Sequence, residues 1–328
     1  MSRLVLGVDG GGTKTQALVA DEAGRILGEG RAGGSNYAAA GEEAAAQALR
    51  AAIDAALASA GGSQERLAAA GLGLSGFDGP PEQAIVGRLV DRVLPGVPRF
   101  LENDSLLVLR AGTDDGVGVG LVAGTGQNCI GRDRAGRRLQ IGGLGAMSGD
   151  VAGAGQLAIA SLAAAYRAAD GRCPPSLLSA AIPAALGVAG MGEVASRIPT
   201  GDPDDEAIRR ILPVLFQSAE AGDAAALEIL EGIATSLAIA ARAAVLGLGL
   251  EGSDRAVILG GRTLQDPANT VLSARVLAAI ARLLPGLRSR VLDVPPVTGG
   301  VLWALDLLGS DRARDRRLLE VMRYRLVT

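Results

Sequence analysis

Three observations predict an α/β protein of two domains. Short apolar runs that end in Gly, Asp or Asn alternate with longer segments whose apolar residues recur at helical spacing. The pattern closes near residue 113 and then restarts. Each half opens on three short strands, with a glycine-rich turn after the first. At 328 residues the chain is long for one core and sufficient for two.

The elements follow in order. Leu4–Val8 is an apolar run of strand type, Thr15–Ala20 alternates as a second strand, and Arg25–Glu29 follows the turn Asp21-Glu22-Ala23-Gly24 as a third. Connections this short make the three antiparallel. Gly41–Ala60 is alanine-rich with helical spacing. Leu67–Leu74 is a strand running into Ser75-Gly76-Phe77-Asp78-Gly79, and Pro81 opens a helix to about Leu94. Arg99–Glu102 is a strand closing on Asn103-Asp104, and Ser105–Ala111 is a helix. In the second half, Val117–Val122 ends in Ala123-Gly124-Thr125-Gly126, Asn128–Gly131 is its hairpin partner, and Arg137–Ile141 is a third strand. Glycine-rich 142–155 leads into a helix through Ala169. Residues 174–221 read as a helical insertion broken by Pro183, Pro199 and Pro203. A long helix over Asp223–Leu246, a strand over Arg255–Leu259 ending in Gly260-Gly261, a helix over 267–284, a strand over 288–293 and a helix over 299–308 complete the half. The domains are expected at 1–113 and 114–310, with a basic helix over 311–328 packing back on the first.

Composition excludes several functions. The formal net charge of −3 argues against a nucleic-acid or anionic-membrane surface. No run is read as a transmembrane span, and no leader is expected at the N-terminus. Two cysteines, Cys129 and Cys173, make no disulfide framework, so a cytoplasmic setting is expected. There is no histidine. That removes Ser-His-Asp and Cys-His catalysis and HExxH metal sites, and leaves a carboxylate as the natural general base.

The chemistry concentrates in Asp9-Gly10-Gly11-Gly12-Thr13-Lys14-Thr15, which holds the only lysine of the chain. A strand ending in an acid and then three glycines offers backbone N–H groups with no side chain in the way, suited to an anion. Asp9 can hold a hydrated magnesium ion beside it. The spacing is not Walker A, and a strand rather than a helix follows, so the Rossmann fingerprint fails as well. The alternative is a hairpin turn that happens to be glycine-rich. Gly124-Thr125-Gly126 is a second turn of the same kind, and a triphosphate needs two clamps. Asp104 fits either a general base or a helix N-cap. Asp150 fits an N-cap or a ligand contact, Asn36 a turn residue, Lys14 a solvated strand position and Cys129 a packed apolar one.

These motifs, with Gly34-Ser35-Asn36, Leu74-Ser75-Gly76, Gly142-Gly143-Leu144-Gly145, Gly149-Asp150 and Leu259-Gly260-Gly261, resemble the actin/hexokinase/heat-shock-protein ATPase superfamily. Within it the chain is similar to the N-acetylglucosamine/glucosamine kinase group of the BadF/BadG-type ATPases, over nearly its whole length. The resemblance implies two ribonuclease H-like (actin-like ATPase) domains with an interdomain cleft. It implies ATP with Mg²⁺ as cofactors and a small-molecule sugar as substrate, with no nucleic-acid or membrane partner and with homodimer formation. It implies that Asp9, Gly10, Gly11, Gly12, Thr13, Lys14 and Thr15 form the first phosphate loop and Gly124, Thr125 and Gly126 the second. Gly260 and Gly261 would lie against the adenosine. Asp104 would be the catalytic base, and Asn36, Ser75, Asp104, Gly145 and Asp150 would contact the sugar. Relatives usually carry tryptophan where this chain has Leu144, and Glu-Gly-Ser where it has Val151-Ala152-Gly153. The sugar side therefore departs more from the pattern than the ATP side. The alternatives are a kinase of another hexose or amino sugar, and an ATPase activator of the radical dehydratase or benzoyl-CoA reductase type, which bridges an iron–sulfur cluster through cysteines.

Overall fold

The computed structural model describes residues 3–198, 202–252 and 255–310. The expected basic helix over 311–328 and Pro199 lie outside them. Contacts divide the described residues into two compact units, one of those within 3–120, 131–137 and 292–310, the other of those within 121–130 and 138–291.

The first unit opens with β1 (Leu4–Gly10), β2 (Lys14–Asp21) and β3 (Ile26–Gly33), joined as antiparallel neighbours. The short helix α1 (Tyr37–Ala40) and the long α2 (Glu42–Ser59) follow. Then come β4 (Leu67–Leu74), α3 (Pro80–Val93), β5 (Arg99–Glu102) and α4 (Asp104–Gly112). The sheet order is β3-β2-β1-β4-β5, with β1 parallel to β4 and β4 parallel to β5. Alternation along β1 fills two cores. Leu4, Leu6 and Val8 join Leu49, Ile53 and Leu89 from α2 and α3 on one face. Val5 joins the other face.

The second unit is built from β6 (Gly118–Ala123), β7 (Gln127–Arg132), β8 (Arg138–Ile141), α5 (Ala154–Ala169), α6 (Leu178–Leu186), α7 (Met191–Arg197), α8 (Asp205–Glu220), α9 (Ala224–Gly247), β9 (Ala256–Gly260), α10 (Arg262–Gln265), α11 (Thr270–Leu283) and β10 (Arg288–Val291). Its sheet order, β8-β7-β6-β9-β10, repeats that of the first sheet. The two sheets are the architecture of the actin-like ATPase fold, and the duplication between the halves is one of strand order.

Three expectations need correction. The last described helix, α12 (Val297–Leu307), belongs with the first sheet rather than with the second half. Its Val297, Val301 and Leu305 share a core with Val5, Leu18 and Ala69. The approach is backbone to backbone: a Cβ on Gly7 would meet Val301 N, and one on Gly71 would meet Gly300 O. Only glycine permits such contact. Pro183 does not break the insertion, because it lies inside α6 and costs that helix one N–H···O bond. Finally, α9 does contain a stretch of mean hydropathy 1.7, long enough to cross a membrane, but half of that stretch is buried within the protein, as in a core helix.

Candidate active site

Parallel strands place their carboxyl ends at one edge of a sheet, and in the first unit three loops leave that edge. They follow β1 at Gly10, β4 at Leu74 and β5 at Glu102, and the registers Gly10↔Leu74 and Gly73↔Glu102 set them side by side.

The β1 loop is shaped from behind. Ser75 N–H donates to Gly10 O at 2.8 Å, Ser35 N–H to Gly11 O at 3.0 Å, and Gly11 N–H to Lys14 O at 2.9 Å. The N–H groups of Gly12 and Thr13, both exposed, have no acceptor among the described residues. None of Gly10, Gly11 or Gly12 has a positive φ, so backbone conformation does not call for glycine there, and at Gly10 the reason is space. A Cβ on Gly10 would land on Ser35 Oγ and Leu74 Cδ2, and one on Gly34 would land on Gly12 O. Thr15 is fully buried, and its hydroxyl donates to Gly33 O at 2.8 Å. It braces the turn rather than opening into it. The hydroxyls of Ser35 and Ser75 are buried with no hydrogen-bond partner among the described residues.

Two carboxyl groups beside this turn are far from their ordinary behaviour. Burial pushes Asp9 up from 3.8 to about 6, opposed by the nearby Lys14 ammonium. Burial pushes Asp104 up from 3.8 to about 7, helped by the negative charges of Asp9 and Asp78 and opposed by the N–H groups of Ser105 and Asp104. Asp104 is the first residue of α4, but it is not the cap. Asn103 occupies that position, its Oδ1 accepting from Ser105 N–H at 3.0 Å. Asn36 likewise caps α1, accepting from Ala38 N–H at 3.0 Å. Asp78 is the member of this group that the sequence does not single out. It lies in the loop after β4, and its only sequence signal is an acid following a strand that ends in Leu-Ser-Gly.

In the second unit the turn after β6 is held by other means. Gly124 N–H donates to Gly126 O at 2.8 Å, and Ala154 N–H, opening α5, donates to Gly124 O at 3.0 Å. A Cβ on Gly153 would sit 3.1 Å from Thr125 O, whereas one on Gly126 would meet nothing. Gly260-Gly261 comes to the same place: Gly261 has φ 85°, and a Cβ on it would land on Ala123 O. A Cβ on Gly124 would lie 3.8 Å from Arg262 N. Asp150 is not a cap either, since Gly153 precedes α5. Its Oδ2 accepts from Gly143 N–H, Gly145 N–H and Ser148 Oγ–H at 2.8 to 2.9 Å, stapling the 142–149 loop. That loop leaves Leu144, Met147 and Val151 exposed. Gln127, also unforeseen, is buried and accepts from Val151 and Ala152 N–H at 3.1 and 2.9 Å.

The first unit thus brings Asp9–Thr15, Asn36, Ser75 and Asp104 into one neighbourhood. The second brings Gly124–Gly126 against Gly260-Gly261 and places Gly145 with Asp150.

The profile of the BadF/BadG/BcrA/BcrD ATPase family matches residues 6–304. The chain belongs to this family. Among its relatives is the N-acetylmuramic acid/N-acetylglucosamine kinase of Clostridium acetobutylicum, 24% identical over 264 residues that make up 80% of this chain and 86% of the relative. A candidate N-acetylglucosamine kinase from Chromobacterium violaceum superposes with a TM-score of 0.71 at 24% identity, over 92% of this chain and 99% of the other. A ROK-family glucokinase from Streptomyces griseus, solved with glucose and AMPPNP, superposes with a TM-score of 0.60 at 20% identity, over 93% and 98% of the two chains. At such identities these likenesses speak for the fold.

Proposed function

We propose that this family member is an ATP-dependent sugar kinase, with N-acetylglucosamine or glucosamine the first acceptors to test. The observation that carries the reading is Asp104, a partly buried carboxyl at the first turn of α4, beside Asp9 and a turn with two open N–H groups. The names of the curated relative and the structural neighbours point the same way.

Phosphoryl transfer asks mainly for positioning and charge neutralisation. Asp104 accepts the proton of the sugar hydroxyl as that oxygen attacks the γ-phosphorus. The bond from the γ-phosphorus to the bridging oxygen breaks, and ADP leaves. A carboxyl poised near neutrality is matched to that proton transfer. Gly12 and Thr13 donate to phosphate oxygens, and Lys14 adds the chain's one lysine ammonium. Gly124–Gly126 and the Gly260-Gly261 corner serve the nucleotide, where bare backbone allows close approach. Asn36, Ser75, Gly145 and Asp150 are assigned to the sugar. For Asn36 and Asp150 the structural bonds above leave the amide nitrogen and the second carboxylate oxygen, respectively, as the contact.

Magnesium fits the donor set. No group of three or more potential metal ligands occurs among the described residues. A single carboxylate, Asp9, suits an ion that keeps most of its waters and is otherwise held by phosphates. When bound, the ion neutralises charge on the phosphate oxygens, and Asp9 would hold it through water. The iron–sulfur alternative fits poorly. Cys129 is fully buried with its thiol pushed up to about 12 by burial, which leaves Cys173 as the exposed thiol. One exposed cysteine per chain falls short of the thiolates a cluster needs.

Incubating the protein with Mg·ATP and a panel of hexoses and amino sugars tests the reading. Sugar-dependent ADP release, with a phosphosugar seen by mass spectrometry, is expected. ADP release that no sugar in the panel stimulates would refute it.

A further inference from the structure

The loop between β4 and α3 holds a carboxylate, Asp78, that is fastened to the residue capping α4. Gly76, at φ 81°, turns the chain after β4, and Phe77 N–H closes the turn on Leu74 O at 3.3 Å. On the other side Gln83 Nε2, from α3, donates to Asp78 O at 2.9 Å. The backbone of Asp78 is thereby fixed from both directions. Its Oδ1 accepts from Asn103 Nδ2 at 3.0 Å, across 25 residues of sequence. Asn103 is 2% exposed, and its Oδ1 is the cap of α4, accepting from Ser105 N–H.

An asparagine amide has two ends of nearly equal shape, and only the oxygen can accept from a helix N–H. A carboxylate can only accept. It therefore takes the NH₂ end and leaves the oxygen for Ser105. Asp78 and the Ser105 N–H both favour the same orientation of Asn103, and Asn103 in turn holds the first turn of α4. Asp104 lies between the two bonded positions, 103 and 105.

We infer that Asp78 is a positioning residue for Asp104, acting through the Asn103 side chain to fix the first turn of α4. The inference rests on the kinase reading above. Beside the charge that Asp78 sets near Asp104, its positioning role is geometric: an aspartate carboxyl displaced by about 1 Å from the acceptor hydroxyl is expected to lose about 10- to 100-fold in rate.

The test compares Asp78→Ala with Asp78→Asn, which keeps an accepting oxygen at the same reach. Two readouts are used: steady-state kinetics with the best acceptor, and amide hydrogen exchange of a peptide covering the first turn of α4. Asp78→Ala should lower kcat by about 10- to 100-fold, with KM for Mg·ATP changed less than about threefold, and should speed exchange at that turn. Asp78→Asn should restore both. Asp78→Ser, which stays polar but cannot reach Asn103, replaces Ala if that variant fails to fold. Wild-type kcat and exchange in the Ala or Ser variant would overturn the inference. So would an Asn variant as slow as Ala with its exchange protection intact. A wild-type protein without sugar phosphorylation would sink the kinase reading alone, because the exchange comparison still decides whether Asp78 holds the turn.

Discussion

The turn after β1 and the turn after β6 occupy the same place in two sheets of the same strand order, and they are built differently. The first is backed by two serine amides and lies beside two carboxyls that burial has pushed far above their usual range. The second is backed by the opening amide of α5 and by a glycine corner from β9. Asp150, the acid of the 142–149 loop region, is engaged in three hydrogen bonds that hold that loop. On the proposed reading, one scaffold serves two purposes. A bare turn suffices to hold an anion. On the same reading, only the edge where partly buried acids lie at or just past the strand ends acquires a group to take a proton.

Substitutions at glycine separate the two purposes. Gly34→Ala would force a side chain onto Gly12 O and should destabilise the first unit by about 2–4 kcal/mol, as overpacking against rigid backbone does. Thermal unfolding reads this. Gly126→Ala meets open space, so its melting temperature should stay within about 2 °C of wild type. Its affinity for Mg·ATP should fall by about tenfold in calorimetry, since on the proposed reading the methyl group would stand where phosphate approaches. A Gly126→Ala protein that binds nucleotide normally would remove this turn from the site.

The carboxyls predict a smaller but distinctive effect on stability. Asp9 and Asp104 carry folded-state values of about 6 and about 7 against 3.8. Between about pH 4 and pH 7 the folded protein keeps protons that the unfolded chain has released. Their contribution to stability is therefore fully present at the acid end and is lost as pH rises through that window. Asp104→Asn removes one such group without changing its shape. The variant should match wild type near pH 4 and exceed it near pH 8 by on the order of 2 kcal/mol. A tenfold change in proton affinity is worth about 1.4 kcal/mol, and solvent at a partly exposed group reduces the total. Equal stability at both pH values would mean that Asp104 is an ordinary surface aspartate.

Much of the fold and site is legible in the chain because the signals are local. The alternation of Leu4, Leu6 and Val8, the glycines after Asp9, and an Asn-Asp pair between a strand and a helix each carry their meaning within a few residues. What is not legible depends on distant partners. Asp78 gains its importance from Asn103, 25 residues on. The allegiance of α12 to the first sheet depends on Gly7 and Gly71 meeting a helix that lies far along the chain. Gly299-Gly300 reads locally as a weak point in a helix and not as a contact surface. Thr15 reads as part of the phosphate loop by its neighbours, although its hydroxyl is directed at β3. Pro183 shows the opposite error, a strong local breaker overruled by the packing of α6.

The most direct test is the turnover of Asp104→Ala beside its nucleotide binding. The account predicts that sugar-dependent ADP release falls by about 10²- to 10⁴-fold, the usual worth of a general base, while calorimetry still detects Mg·ATP with an affinity within about threefold of wild type. Turnover within about tenfold of wild type would contradict it, and the proton acceptor would have to be sought elsewhere.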